Sequence, residues 1–363
     1  MLQDGGYTAP ALAFSFDGQV LAVMRGSTVQ AYEWGSSLAF WQPRGPAVET
    51  TVRTTRHVPG MALSLDGNVL AWGDPTTRLV HVLEWNADTW QERSVIVIDN
   101  DADVDSPTGQ FYSLALSESG NVIAVGDADA LNFAGKAHVF QWDAGNQQWN
   151  RINTWTGSPG SRTGFALALS WDGKTVAVGA VENALATIVP GMVRVYRQEQ
   201  GGNTSWGQIG QTIVGFRHQD RFGATVSLSG EGNILAVGAP LFDSKEGDKV
   251  AKPNTGQVRV FEWNAQVGLW GPCGQNLSGT VSDQGLGQVL SLSIGGDVVA
   301  AAGSMGGLQI RKLNENKRWI SWPLSGTNAP SGVASAVLAG SGRVVALSDR
   351  TTGAVFVYQA VNW

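Results

Sequence analysis

Apolar residues alternate with small or polar ones in short runs, each cut off by Gly, Asp or Asn, and the chain keeps to this pattern from end to end. A period of two in runs rich in β-branched and aromatic residues predicts strands, and no stretch holds a 3.6-residue period long enough for a helix of any size. The runs repeat in a fixed order. Aligned on a turn glycine, they read "LAFSFDGQVLAV" (Gly18), "MALSLDGNVLAW" (Gly67), "LALSESGNVIAV" (Gly120), "LALSWDGKTVAV" (Gly173), "VSLSGEGNILAV" (Gly232), "LSLSIGGDVVAA" (Gly296) and "AVLAGSGRVVAL" (Gly342). The second strand starts two residues after each glycine, while the glycines lie 46 to 64 residues apart. The hairpin is therefore constant and the insertions fall in loops.

A third alternating strand follows each hairpin ("TVQAYEW", "LVHVLEW", "KAHVFQW", "QVRVFEW"), and a fourth segment opens at Trp90, Trp149, Trp206, Trp270 and Trp319. The unit is a four-stranded meander. Such a sheet cannot bury both of its faces alone, but several set radially bury one another. The first strand is almost wholly Ala, Ser, Leu and Val ("ALALS", "TVSLS"), as a crowded axis requires. The fold class is all-β: a seven-bladed β-propeller of four-stranded antiparallel blades, a single domain over residues 1–363. In this register the chain starts where a fourth strand would end and stops where the last one would begin. The seventh blade is thus expected to lack its outer strand, leaving residues 354–360 as an edge for strand donation by a partner or by further sequence.

"FGATVSLSGEGNILAVGAP", followed by "GQVRVFEW", resembles the FG-GAP repeat of integrin α-subunit propellers and related algal and bacterial proteins. The resemblance runs from about residue 11 to 363 and is strongest in the fourth and fifth units. It implies a propeller that binds partners, often with calcium held by spaced carboxylates between the first two strands of a blade. Here that connection is a tight turn such as "SLDGN", which has no room for the six to eight oxygens calcium takes.

Composition narrows the function. Charged residues are only 15% of the chain and the net charge is −6, with Lys and Arg scattered, so no basic face exists for nucleic acid. No apolar run is long enough to span a membrane as a helix. One cysteine, Cys273, excludes an intrachain disulfide and leaves the compartment unread. An extracellular, cell-surface or lumenal site is favoured if the chain is a processed fragment.

Variation is concentrated in the loops after the second and fourth strands, which share one face of a propeller, and varied loops on a rigid scaffold are where binding resides. The partner-binding candidates are Asp127, Asp129, Arg217, His218, Asp220, Arg221, Asp243, Lys245, Glu246, Asp248 and Lys249. In "DNDADVD", Asp99, Asp101, Asp103 and Asp105 alternate and are candidate calcium ligands, although the Gly and distal Glu of an EF-hand loop are missing. The bland reading of that segment is a solvated acidic loop. No other cofactor is indicated, and no nucleophile elbow, zinc spacing or phosphate loop is present. His81 and His138 share one third-strand position, so packing explains them better than catalysis. The recurrent tryptophans read as architecture, whereas Trp72, Trp155, Trp171 and Trp322 break register.

The residues thus favour a non-enzymatic interaction or assembly scaffold with a protein partner. A glycan-binding propeller and an enzyme using axial carboxylates are the alternatives, and fold alone does not choose among them.

Overall fold

The computed structural model describes residues 10–37, 39–51, 60–74, 77–98, 111–181, 190–199, 205–246, 250–322 and 332–359. Its strands form seven antiparallel blade sheets, each drawn from one continuous stretch of chain, and one separate two-stranded sheet. Blade 1 holds β1 (Ala11–Phe14), β2 (Val20–Arg25), β3 (Thr28–Gly35), β4 (Phe40–Pro43) and β5 (Val48–Glu49). Blade 2 holds β6 (Met61–Leu63), β7 (Val69–Asp74), β8 (Leu79–Asn86) and β9 (Thr89–Val97), and blade 3 holds β10 (Phe111–Leu116), β11 (Val122–Asp127), β12 (Lys136–Asp143) and β13 (Gln148–Thr156). Blade 4 holds β14 (Thr163–Leu169), β15 (Thr175–Ala180), β16 (Met192–Gln198), β17 (Trp206–Gln208) and β18 (Ile213–Val214). Blade 5 begins with β19 (Thr225–Leu228) and β20 (Ile234–Ala239), then carries an inserted hairpin of β21 (Ser244–Glu246) and β22 (Val250–Lys252). It ends with β23 (Gln257–Asn264), β24 (Leu269–Pro272) and β25 (Leu277–Ser278). Blade 6 holds β26 (Val289–Leu292), β27 (Val298–Gly303), β28 (Gly306–Leu313) and β29 (Trp319–Ser321). Blade 7 holds β30 (Val333–Leu338), β31 (Val344–Asp349) and β32 (Val355–Gln359).

The innermost strands β1, β6, β10, β14, β19, β26 and β30 touch in that order, and β30 returns to β1. The chain is a seven-bladed β-propeller. In blades 1, 4 and 5 the fourth strand is split in two, β4/β5, β17/β18 and β24/β25, both halves pairing with the third strand.

In six of the seven blades the hairpin turn is built by a recurrent serine three residues before the turn glycine. Ser15, Ser64, Ser117, Ser170, Ser229 and Ser293 are buried, and each Oγ accepts the backbone N–H five residues on at 2.8–3.0 Å. In three turns an aspartate two residues after the serine accepts both the serine hydroxyl and a backbone N–H, as in Ser170 Oγ to Asp172 Oδ1 at 2.6 Å and Lys174 N to Asp172 Oδ1 at 2.9 Å. The turn glycine supplies the positive φ, +67° at Gly232, that a side chain resists. Blade 7 has Ala339 where the others have serine.

The core is a ring of seven wedges, one between each pair of neighbouring blades. Alternation along a second strand feeds two wedges at once: Leu235 and Val237 face blade 4, while Ile234 and Ala236 face blade 6. At the long-loop end the blades meet backbone to backbone. A Cβ at Gly238 would stand 2.2 Å from the carbonyl oxygen of Gly287 in the next blade, which is why glycine recurs in "VGA".

Further out, tryptophans pair across the third and fourth strands: Trp34–Trp41, Trp85–Trp90, Trp142–Trp149 and Trp263–Trp270, with ring centroids 5.2–5.5 Å apart. Arg44 lies over Trp85 at 4.7 Å and Arg93 over Trp142 at 4.4 Å, each reaching from the preceding blade. Trp72 stacks on His81, and Trp155 stacks on Tyr196, so these two off-register rings also serve packing.

Blade 7 is a three-stranded sheet, and among the described residues no strand pairs with the outer edge of β32. The ring closes through inner elements: Leu12, Phe14, Leu21 and Val23 pack on Ala339 and Ala346, Ser348 Oγ donates to Pro10 O at 3.1 Å, and Arg25 Nη2 donates to Gly353 O at 2.8 Å.

Candidate functional site

The long loops of blades 4 and 5 enclose a cleft of about 510 Å³. Residues 215–223 lead from β18 into β19 and bring Arg217, His218 and Asp220 to it; the loop after β20 brings Leu241 and Asp243, and Asn254 closes the far side. Gln219 and Arg221, on either side of Asp220, both have left-handed backbones (φ +76° and +55°), and Asp220 itself is buried. Its carbonyl accepts the amide of Leu241 at 3.2 Å, tying the two loops together. Asp243 Oδ1 accepts the amide of Asn254 at 2.8 Å, and Asn254 Nδ2 donates to Asp283 Oδ1 at 2.9 Å. The cleft thus shows two carboxylates, an imidazole and a guanidinium on a fixed frame.

Its lip is apolar. Phe216 is 59% exposed and Leu241 39%. The Phe216 ring rests on the guanidinium of Arg259 at 4.2 Å, which also lies over Phe222 and Phe261 and donates from Nη1 to Val214 O. Burial pulls the Arg259 guanidinium below its ordinary pKa. Phe216, Leu241, Pro190, Asn254 and Arg259 were not candidates from sequence; a large aromatic inside an otherwise polar loop, "VGFRHQDRFG", was the available signal for the first.

Of the sequence candidates, Arg217, His218, Asp220 and Asp243 line the cleft. Arg221 is exposed beside it. Lys245 and Glu246 belong to β21 of the inserted hairpin, while Asp248 and Lys249 lie outside the described residues, as do Asp99, Asp101, Asp103 and Asp105. Asp127 and Asp129 are elsewhere, in blade 3 beside a left-handed turn at Leu131–Phe133. Both are buried and each is gripped by a neighbouring blade: Arg78 Nη2 to Asp127 Oδ2 and Arg162 Nη2 to Asp129 Oδ1, both at 3.2 Å. Burial pushes the Asp127 carboxyl up, Arg78 opposes this, and Asp129 adds to it. These two acids are an inter-blade latch.

The hairpin turns do not suit calcium. Each offers at most one carboxylate, and Asp17, Asp66 and Asp172 spend theirs on the adjoining serine hydroxyl and backbone amide. Among the described residues no three His, Cys, Asp or Glu side chains converge as a metal-binding group, and no helix is long and apolar enough to cross a membrane.

No protein-family profile and no curated protein matches the chain. Solved structures do. Hydrazine synthase of Kuenenia stuttgartiensis superposes with a TM-score of 0.65 at 15% identity over 99% of both chains. Two proteins named "putative 6-phosphogluconolactonase", from Bacteroides fragilis and Bacteroides uniformis, superpose with TM-scores of 0.58 and 0.59 at 14% and 16% identity, over 85% of this chain and 82% of theirs. At such identities the likeness is one of fold.

Proposed function

We propose that this propeller is a non-enzymatic interaction module of FG-GAP type that docks a protein partner through the cleft between blades 4 and 5. The observation that carries the reading is Phe216, a large ring held out in solvent and braced from beneath by Arg259, beside a pocket of mixed charge. An exposed aromatic on a rigid base, rimmed by polar groups, is the anatomy of an interaction hot spot, because the ring buries large area at small entropic cost. The opposite charges of Arg217 and Asp243 in its wall suit a peptide segment carrying both charges.

The test is selection of a phage-displayed peptide library on the immobilised chain, followed by binding of the recovered peptides to Phe216→Ala and Asp243→Ala variants. Enrichment of sequences that lose at least tenfold in affinity on Phe216→Ala is expected. Recovery of no peptide, or of peptides indifferent to both changes, overturns the reading, and binding on a glycan array in its place favours the carbohydrate alternative.

A further inference from the structure

The hairpin turns of the seven blades are joined to one another by a closed circle of backbone hydrogen bonds. The residue after each turn serine donates its N–H to the carbonyl of its counterpart in the next blade: Phe16, Leu65, Glu118, Trp171 and Gly230 do so in order, and Ile294 donates to Gly340, which follows Ala339 in blade 7. Ser341 N then donates to Phe16 O and shuts the circle, the seven bonds measuring 2.7–3.2 Å. The innermost strands lead straight into these turns, so the circle surrounds the propeller axis at the end opposite the long loops.

A backbone bonded all the way round holds its side chains on a fixed base, and four of them are large and apolar: Phe16, Leu65, Trp171 and Ile294. Phe16 is 42% exposed and Trp171 38%, while Leu65 and Ile294 are partly buried. These side chains spread over the two glycines of the circle. A Cβ at Gly230 would meet Ile294 at 2.9 Å and the Trp171 indole at 3.2 Å, and one at Gly340 would strike the Phe16 ring. The result is an apolar cap over the axis. Around it the same turns carry Asp17, Asp66, Asp172, Glu231 and Asp297, and Glu118 stands in the circle itself. Against these six carboxylates the turns set only two cations, Lys174 and Arg343, and all eight charged residues are exposed.

We infer that this axial cap is a docking surface for a basic segment of another protein, one that sets a large apolar side chain between lysines or arginines. The apolar side chain packs on Phe16 and Trp171, and the flanking cations meet the surrounding carboxylates, with Glu118 at the edge of the cap. Aromatic rings on a base that is already ordered give up little freedom on binding, which is what makes such a centre effective. Charge decides the occupant. A surplus of carboxylates around an apolar centre attracts and orients a cationic segment. A second copy of this chain would bring two such acidic faces together, and an anionic lipid surface is repelled for the same reason.

The cap lies at the opposite end of the propeller from the blade 4–5 cleft, shares no residue with it, and is tested apart from it. The probe is a pool of short dye-labelled peptides with lysine or arginine at alternate positions and leucine, phenylalanine or tryptophan at the centre, titrated into the full chain and followed by fluorescence anisotropy. Saturable binding that weakens with added salt is expected, at least tenfold tighter than that of a pool with aspartate and glutamate in place of the cations. A basic pool with alanine at the centre should bind at least tenfold more weakly. Phe16→Ala combined with Trp171→Ala should cost at least tenfold, as should Glu118→Lys combined with Glu231→Lys, whereas Phe216→Ala should change nothing. All four altered side chains are exposed, and circular dichroism checks that the variants stay folded. Absence of binding overturns the inference. So does binding indifferent to Phe16, Trp171 and the central peptide residue, which is charge attraction alone, or binding lost on Phe216→Ala, which belongs to the cleft. A face-to-face dimer that excludes the peptides, or binding that appears only after residues 360–363 are removed, overturns it as well.

Discussion

The Ser170 hydroxyl accepts the amide of Thr175 and donates to Asp172, so one buried oxygen organises a whole turn. Removing it strands a buried N–H, and Ser170→Ala is expected to lower stability by about 1–3 kcal/mol in denaturant unfolding. Blade 7 allows the reverse test. Ala339 is fully buried where the other blades have serine, and Ala339→Ser should raise the unfolding midpoint, a single added hydrogen bond contributing about 1 kcal/mol. The recurrent serine was plain in the sequence, but its role was not, because a polar residue in a small-residue strand looks the same whether it faces solvent or a backbone amide.

Two aspartates give opposite pH dependences. Burial, opposed by Arg78, holds the folded Asp127 carboxyl above its ordinary pKa, so the native state keeps its proton longer than the unfolded chain. Its contribution to stability therefore declines as pH rises from about 4 through the raised value, and is flat above. Comparing urea unfolding of Asp127→Asn with the parent across pH 3–8 should show the difference moving in favour of the variant as pH increases. Asp66 behaves in the other sense. Burial pulls it upward, but the Ser64 hydroxyl and Asn68 outweigh that and lower its pKa. Its contribution is present above the ordinary carboxylate value and is lost as pH falls through the folded one.

At the scale of elements, alternation reveals most of the blade. Leu235 and Ile234 adjoin in sequence yet enter different wedges, as a period of two requires. Leu235→Ala should cost about 2–5 kcal/mol, since the wedge closes on it from two blades and cannot collapse. Gly238→Ala adds only a methyl, yet that methyl would meet the Gly287 carbonyl at 2.2 Å; a loss of about 1–3 kcal/mol or more is expected in the same assay. Sequence located the glycines without saying what they touch. It also read residues 241–256 as open loop, where alternation over β21 and β22 was too short to register, and it missed Trp41 because "FWQPRG" lacks the strand-like residues of its counterparts.

For the whole molecule, repetition made seven blades legible, because register counts from each turn glycine; among the described residues the last blade shows three strands. The cleft was only partly legible. Arg217, His218, Asp220 and Asp243 come from two loops of a varied face, and which loops approach each other depends on neighbouring blades rather than on local pattern. Asp127 and Asp129, from the same face, are instead drawn inward by arginines that lie far off in sequence.

The seam between blades 7 and 1 gives the ring a clasp. Blade 7 offers only three strands among the described residues, and its contact with blade 1 is a small wedge of inner-strand residues, with Tyr32, Trp41, Val355 and Val357 packed against it, and a few hydrogen bonds. Under mechanical load a bracelet parts at its clasp. Optical-tweezer extension between handles on blades 1 and 7 should show a first low-force opening at this line, before any blade unravels. Handles on blades 3 and 4, across a fully joined interface, should show none.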